Sequence, residues 1–271
     1  MVRKILLLLI YWVFISFAGE LKVHFLNVGE GESIVVITPS GSVTVIDTGN
    51  LITGYRVYKF LKREGIRDID RLIVTHPHPD HMGGVFLLVQ AFNVKSKHDN
   101  GQPLEAKRHE NLYRWYEELF RRENYRALRR GDSWIEGGVK FTVISPEKLG
   151  RDWNANSVVL RIEYGKVSFL LMGDANLNTE KELLNSGINL KSTVLKVGHH
   201  GARDSLSEEF VEKVSPRYAV ISINRNNIRG YPHPENIELL KQYKVELYTT
   251  YEHGNITFIA DGNKVWVKYG G

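Results

Sequence analysis

The segment that most constrains this chain is Thr75-His-Pro-His-Pro-Asp-His-Met-Gly-Gly84, which follows directly on the apolar run Leu72-Ile-Val74. His76 and His78 stand two apart, and Asp80 and His81 follow at once. A loop leaving a rigid strand can aim alternate side chains at one point, so these four groups can serve a pair of cations about 3.5–4 Å apart. The 271 residues include no cysteine, which excludes a disulfide scaffold, a thiol nucleophile and thiolate-bound zinc. Any such metal is therefore held by imidazole and carboxylate, a donor set that suits zinc, manganese or iron. Gly83 and Gly84 are expected to let the backbone turn tightly beneath the ligands.

Two further apolar runs end in the same chemistry. Phe169-Leu-Leu-Met-Gly-Asp174 closes on a carboxylate with two oxygens for bridging two ions, and Leu195-Lys-Val-Gly-His-His-Gly201 closes on adjacent histidines. Adjacent side chains diverge, so one, with His200 preferred, is expected at the metal while His199 orients a ligand or meets substrate. The expected sets are His76, His78 and Asp174 for one ion, and Asp80, His81, Asp174 and one of His199 and His200 for the other. Asp80, His200 and His233 are the expected catalytic residues, with His233 placed to protonate a leaving oxygen. Lys196 and Arg203 suit a phosphate, and Ser205, Asn154 and Asn156 complete the expected substrate contacts. His24, His98, His109 and His253 lack ligand-type neighbours and read as structural or surface residues.

Hydrophobic periodicity supplies the frame. Strands are predicted over 21–26, 33–38, 42–46, 71–75, 140–145, 157–164, 168–172, 193–197 and 218–223, with a closing hairpin 257–260 and 264–269 around Asp261-Gly262. Helices are predicted over 55–64, 85–91, 180–186, 208–214 and 234–242, and Gly65 suits a C-cap. Within the basic stretch 93–133, Leu112, Trp115, Leu119 and Phe120 recur at helical spacing. Strands, then strand–helix alternation, then strands again imply two sheets, each covered by helices.

Residues 1–18 read as an address. Arg3 and Lys4 precede an unbroken apolar run over 5–15, and Ser16-Phe-Ala18 offers a small-x-small cleavage site. The run is short for a span, which needs about 20 apolar residues. Export to the periplasm or exterior is the expectation, with no stable membrane span after cleavage; an uncleaved anchor is the alternative. Residues 19–271 are expected to form one hydrolase domain, with no obligate protein partner. Lys and Arg exceed Asp and Glu by 36 to 31, a mild excess compatible with a polyanionic partner.

The pattern HxHxDH over His76–His81, with a strand-end Asp174 and a later histidine, resembles the metallo-β-lactamase superfamily. That resemblance implies an α/β (α+β) fold, an αββα sandwich of two mixed sheets covered by helices, with a dinuclear centre at one edge. The blocks Leu26-Asn-Val-Gly-Glu-Gly-Glu-Ser33, Asp47-Thr-Gly49, Asn154-Ala-Asn-Ser157, Leu195–Gly201 and Tyr231-Pro-His-Pro234 resemble the hydrolase domain of ComEC-type competence channels and its free-standing relatives. Departures are visible. Asn154 and Asn156 stand where lactamases carry an intermediate histidine, so one ion keeps an open position or His199/His200 completes it. Asn27, Glu30 and Glu32 replace the Asp, Gln and Asp of the family's first block, and Ala202 stands where the relatives tend to have Ser.

Two divalent ions, zinc first and manganese second, are the cofactors so implied. They would supply hydroxide at neutral pH and neutralise charge on a phosphoryl oxygen. The resemblance and the five arginines within 121–130 favour a secreted phosphodiesterase or nuclease acting on DNA. Trp115 and Tyr125 are the aromatic residues offered for base stacking there. A small-molecule or cell-wall phosphodiesterase of the phosphocholine-esterase type is the alternative, and a non-catalytic binding module with a structural metal is the third reading.

Overall fold

The computed structural model describes residues 19–104 and 110–270; the expected signal segment 1–18 and His109 lie outside the described residues. The chain opens with β1 (Leu21–Phe25), β2 (Ile34–Ile37), β3 (Val43–Ile46), α1 (Gly54–Arg63), β4 (Asp68–Ile69) and β5 (Arg71–Ile73). Next come α2 (Pro79–Met82), α3 (Val85–Ala91), β6 (Asn93–Val94), β7 (Lys97–His98), α4 (Glu110–Leu119), β8 (Ser133–Glu136) and β9 (Val139–Ser145). The second half runs β10 (Val159–Tyr164), β11 (Val167–Leu171), α5 (Leu177–Asn185), β12 (Val194–Lys196), α6 (Glu208–Val214) and β13 (Tyr218–Ile221). It closes with α7 (Pro234–Gln242), β14 (Glu246–Thr249), α8 (Thr250–His253), β15 (Ile256–Ala260) and β16 (Val265–Tyr269).

These strands make two mixed seven-stranded sheets, ordered β16-β15-β1-β2-β3-β5-β7 and β14-β13-β12-β11-β10-β9-β8. Strand alternation assigns the layers. Leu21, Val23 and Phe25 of β1 meet Leu160 and Ile162 of β10 and Phe169 and Leu171 of β11 between the sheets. The outward residues Val35, Val43 and Val45 pack under α1 and α3 with Val57, Leu61, Val85 and Leu88. Leu170, Leu195 and Ala219 pack under α5, α6 and α7 with Leu183, Phe210 and Leu240. Each fully buried Leu, Val or Phe contributes roughly 1.5–3 kcal/mol of transfer free energy. The result is the four-layered αββα sandwich expected.

Differences from the sequence reading have local causes. The strands β8 and β14, absent from the prediction, are the two edges of the second sheet. In β8, Ser133 and Ile135 are exposed while Trp134 and Glu136 are half-buried, so the apolar signal is diluted. Helix α4 buries Tyr113 and Tyr116, and Phe120 follows on the same side, whereas Trp115 and Leu119 face solvent. The helical period was legible there, but its face was not. Helix α5 begins earlier than predicted because the Asn176 side chain caps it, accepting from Asn178 N at 3.1 Å.

Candidate metal centre

Three strand ends converge at one edge of the sandwich. The segment after β5 brings His76, His78, Asp80 and His81; the turn after β11 brings Asp174; a 3-10 turn after β12, Gly198–Gly201, brings His199 and His200. Close backbone approach makes the first of these fit. A Cβ on Gly83 would stand 2.2 Å from Leu51 N, and one on Gly84 would stand 2.3 Å from Thr48 O. The Gly-Gly pair therefore serves backbone contact with the loop before α1 rather than a left-handed turn. Gly31 (φ +108°) does the same on the other side, where a Cβ would lie 2.1 Å from Asp80 O.

Two donor sets meet at Asp174: His76, His78 and Asp174 form one group, and Asp80, His81 and His200 form the other. His76 Nε2 and His78 Nδ1 are 2.9 Å apart, and His76 Nε2 lies 3.8 Å from Asp174 Oδ2. His81 Nε2 is 3.2 Å from Asp174 Oδ2, while His200 Nε2 is 3.3 Å from Asp174 Oδ1 and 3.8 Å from Asp80 Oδ2. Among the described residues, buried His81 Nε2, His200 Nε2 and Asp174 Oδ1 find no partner in hydrogen-bond geometry. Orphaned donor atoms converging on one point would be costly unless a cation or protons served them. The donor set fits a pair of divalent metal ions.

The imidazoles are fixed from behind. His81 Nδ1 lies 2.7 Å from Asp47 Oδ2, and Asp47 also accepts from Thr75 N at 2.7 Å and Thr75 Oγ1 at 2.8 Å. His200 Nδ1 lies 2.8 Å from the Ser222 carbonyl. With Nδ1 protonated in each, Nε2 presents its lone pair to the centre. His199 and His200 both adopt left-handed backbone (φ +45° and +54°), a geometry costing roughly 1–2 kcal/mol per non-glycine residue. The loop is braced by Asn236 Nδ2, which donates to Gly201 O and Ala202 O, and by the buried Ser205 hydroxyl, which donates to Ala202 O.

Electrostatics follow from this crowding. Burial pushes the His81 imidazole down, but the Asp174 and Asp47 carboxylates outweigh it and hold it well above its ordinary value. His200 is raised likewise, burial being overcome by Asp174. Burial raises Asp174, yet His200 and His81 carry it well below the usual carboxylate range. His76 is lowered by burial and by His81.

The remaining predicted residues separate clearly. An open cleft of about 420 Å³ over the centre is lined by Glu30, Asn50, His78, Pro79, Asp80, Asn154, Asp174, His199 and Arg229. His199 stands on its wall, with Nδ1 2.8 Å from Asp204 Oδ1 and Nε2 3.1 Å from Asn154 Nδ2. Other expected substrate contacts lie elsewhere. Lys196 is wholly buried, paired with Glu32 and donating to Val197 O at 2.8 Å and Gly173 O at 3.2 Å, so it cannot reach a phosphate in the cleft. Asn156 is buried and ties both polar groups of Gly150, and Ser205 is spent on its own loop. Arg203 is exposed but does not line the cleft. His233 caps α7, its backbone N–H donating to Gly201 O at 2.8 Å and its Nδ1 3.7 Å from Glu235; its ring is not among the cleft residues. His24, His98 and His253 hydrogen-bond Thr257 Oγ1, Arg126 O and Thr249 O, consistent with structural roles.

The basic stretch is largely paired within the protein. Arg121 donates to buried Asp99, which additionally accepts from Tyr116 and Tyr125. Arg126 pairs with Asp132, Arg129 caps Asn100 O and Leu128 O, and Arg130 bridges Glu147 and Glu182. Four of the five arginines thus hold this segment together, and Tyr125 does so too.

Sequence reasoning missed Asp47 and Glu32 as parts of the site. Asp47 follows the apolar strand β3 as Asp174 follows β11, and that parallel was the available signal. Asp47→Asn is expected to weaken metal binding about 10–100-fold, the usual cost of losing a partner behind a ligand. Competition with a chromophoric chelator measures it; unaltered affinity would remove Asp47 from the site.

The two convergent donor sets at the edge of an αββα sandwich define a metal-dependent hydrolase class. Residues 28–223 match the metallo-beta-lactamase superfamily model, and the chain belongs to that superfamily. It is distantly homologous to ComE operon protein 3 of Bacillus subtilis, at 31% identity over 91% of this chain and 34% of that protein. Recombination protein 2 of Haemophilus influenzae is 32% identical over 87% of this chain and 28% of its own length. Competence protein ComA of Neisseria gonorrhoeae is 32% identical over 80% and 28%. The chain thus spans about a third of these relatives. Among solved structures, the metallo-beta-lactamase fold protein YhfI of Bacillus subtilis shares the fold at 10% identity, with TM-score 0.56 over 92% of this chain and all of that one.

Proposed function

We propose that this chain is an exported metal-dependent phosphodiesterase that cleaves nucleic acid, with DNA as the expected substrate. The observation that carries the reading is the pair of donor sets joined at Asp174 beneath an open polar cleft. The relatives named for competence and recombination support a nucleic-acid substrate. The export reading rests on residues 1–18 alone.

His76, His78 and Asp174 would hold one cation, and Asp80, His81, His200 and Asp174 the other. Bound there, such ions supply an activated water and neutralise charge on a phosphoryl oxygen. The protein's own groups do the rest. Asp174 touches both donor sets, with Oδ2 beside His76 and His81 and Oδ1 beside His200. Asp47 keeps His81 in the tautomer that faces Asp174. His199, its Nδ1 donating to Asp204, presents Nε2 on the cleft wall as the acceptor facing Asn154 Nδ2, and would meet a substrate there as a hydrogen-bond acceptor. Trp153 stacks on His78 with ring centroids 5.5 Å apart and limits its rotation.

The test is to load the chain with zinc, and separately with manganese, and offer linear DNA, circular DNA and a phosphocholine ester. Cleavage of DNA that stops on chelation and returns with metal is the expected result. Turnover of the phosphocholine ester with DNA left intact would replace this reading by the small-substrate one.

A further inference from the structure

The metal cleft is the first of three depressions that share walls. Glu30 and Asn50 line both the cleft and a second depression, which Asn27, Gly29, Thr53, Arg56, Asn224, Arg225 and Tyr251 complete. Asn27 and Arg56 in turn line a third, with Lys59, Phe60 and Arg63. Five cations therefore succeed one another away from the centre: Arg229, Arg225, Arg56, Lys59 and Arg63. Among the described residues, Glu30, 3.7 Å from Arg229, is the one carboxylate lining either outer depression.

Helix α1 sets the spacing of three of them. Arg56, Lys59 and Arg63 lie three and four residues apart, on one face of the helix, whose opposite residues Val57 and Leu61 are in the core. From Arg56 to Arg63 the helix rises about 10 Å. That is the reach of about three phosphates at the ~3.4 Å axial spacing of a stacked strand. All five cations are exposed. Arg225 lies over Tyr251, Lys59 over Tyr55 and Arg63 over Phe60. Arg56 donates to Asn27 O at 3.1 Å, Arg63 lies 3.6 Å from Glu64 and Arg229 3.7 Å from Glu30, but these side chains stay in solvent. Arg121 and Arg130 are instead largely buried against Asp99, Glu147 and Glu182.

We propose that this run of depressions is a binding track for a single nucleic-acid strand, delivering one phosphodiester to the metal cleft while its neighbours rest on Arg225, Arg56, Lys59 and Arg63. The proposal rests on the phosphodiesterase reading above and adds the surface that selects a polymer over a lone phosphate ester.

The test compares the full metal-loaded chain with Arg56→Glu/Lys59→Glu/Arg63→Glu, and with the milder triple Gln variant in case charge reversal disturbs folding. Fluorescence anisotropy with a single-stranded DNA oligonucleotide gives affinity as a function of salt. Cleavage of the same DNA is ratioed to hydrolysis of bis(p-nitrophenyl) phosphate, which carries one phosphate and reports the centre alone. The expected result is at least a tenfold fall in DNA affinity and in that ratio. The slope of log K against log salt should shrink by about two, as three lost contacts at ~0.7 each require. An unchanged slope and ratio would overturn the track while leaving the hydrolase reading intact. Wild-type chain that hydrolyses the small diester yet neither binds nor cuts DNA would overturn the track and the nucleic-acid substrate together, leaving a small-substrate phosphodiesterase.

Discussion

Asp174→Asn is expected to lower turnover about 10³-fold or more, whatever the substrate. The side chain keeps its volume but loses the charge that both donor sets share, and several kcal/mol of charge stabilisation at ~1.36 kcal/mol per decade gives that factor. Steady-state hydrolysis of a diester by the metal-loaded variant is the measurement; retained turnover would mean the chemistry lies elsewhere. The metal-free protein provides a second readout. Asp174 is held below its ordinary range, so its contribution is present above about pH 4 and lost as pH falls through its folded value. His81 and His200 are raised, so theirs is complete below about pH 6.5 and lost as pH rises through their folded values. Thermal melts of metal-free wild type and variant should therefore differ most between about pH 4 and 6.5.

Lys196→Met is expected to cost roughly 3–5 kcal/mol of folding stability, the effect of breaking a buried ion pair from one side. Both partners are fully buried, and the orphaned Glu32 carboxylate would be left beside Asp174 and His200, with which it shares a donor cluster. The double variant Glu32→Gln/Lys196→Met should recover much of the loss, because neither charge is then stranded. Denaturant melts of the three proteins decide this. If the double variant is as unstable as the single one, the loss comes from packing and not from the stranded carboxylate.

The architecture was largely legible, because most strands carry apolar residues on both faces and the helices show clear periods. The metal donors were legible because they follow three such strands directly. What failed was anything depending on which way a side chain turns once the backbone is placed. Alternation along β12 puts Lys196 on the same face as Val194, whose side chain lies between the sheets. Two-residue parity therefore already opposed a role for Lys196 at the surface. The arginines of 121–130 read as a free basic face because several of their acceptors, Asp99, Asn100 and Glu182, are distant in sequence. The cationic run on α1 went unnoticed for the opposite reason: three charges on a helix look ordinary until the loops bearing Arg225 and Arg229 arrive beside them.

His76, His78, Asp80 and His81 issue from the first sheet, whereas Asp174 and His200 issue from the second. A cation gripped by both groups would act as a rivet across the seam of the sandwich. Ligation at 100 times Kd adds about 2.7 kcal/mol to the folded state, and here that increment would clasp one half of the molecule to the other. Metal binding at this seam would thus be linked to cohesion of the two sheets, which the apolar core between them already joins.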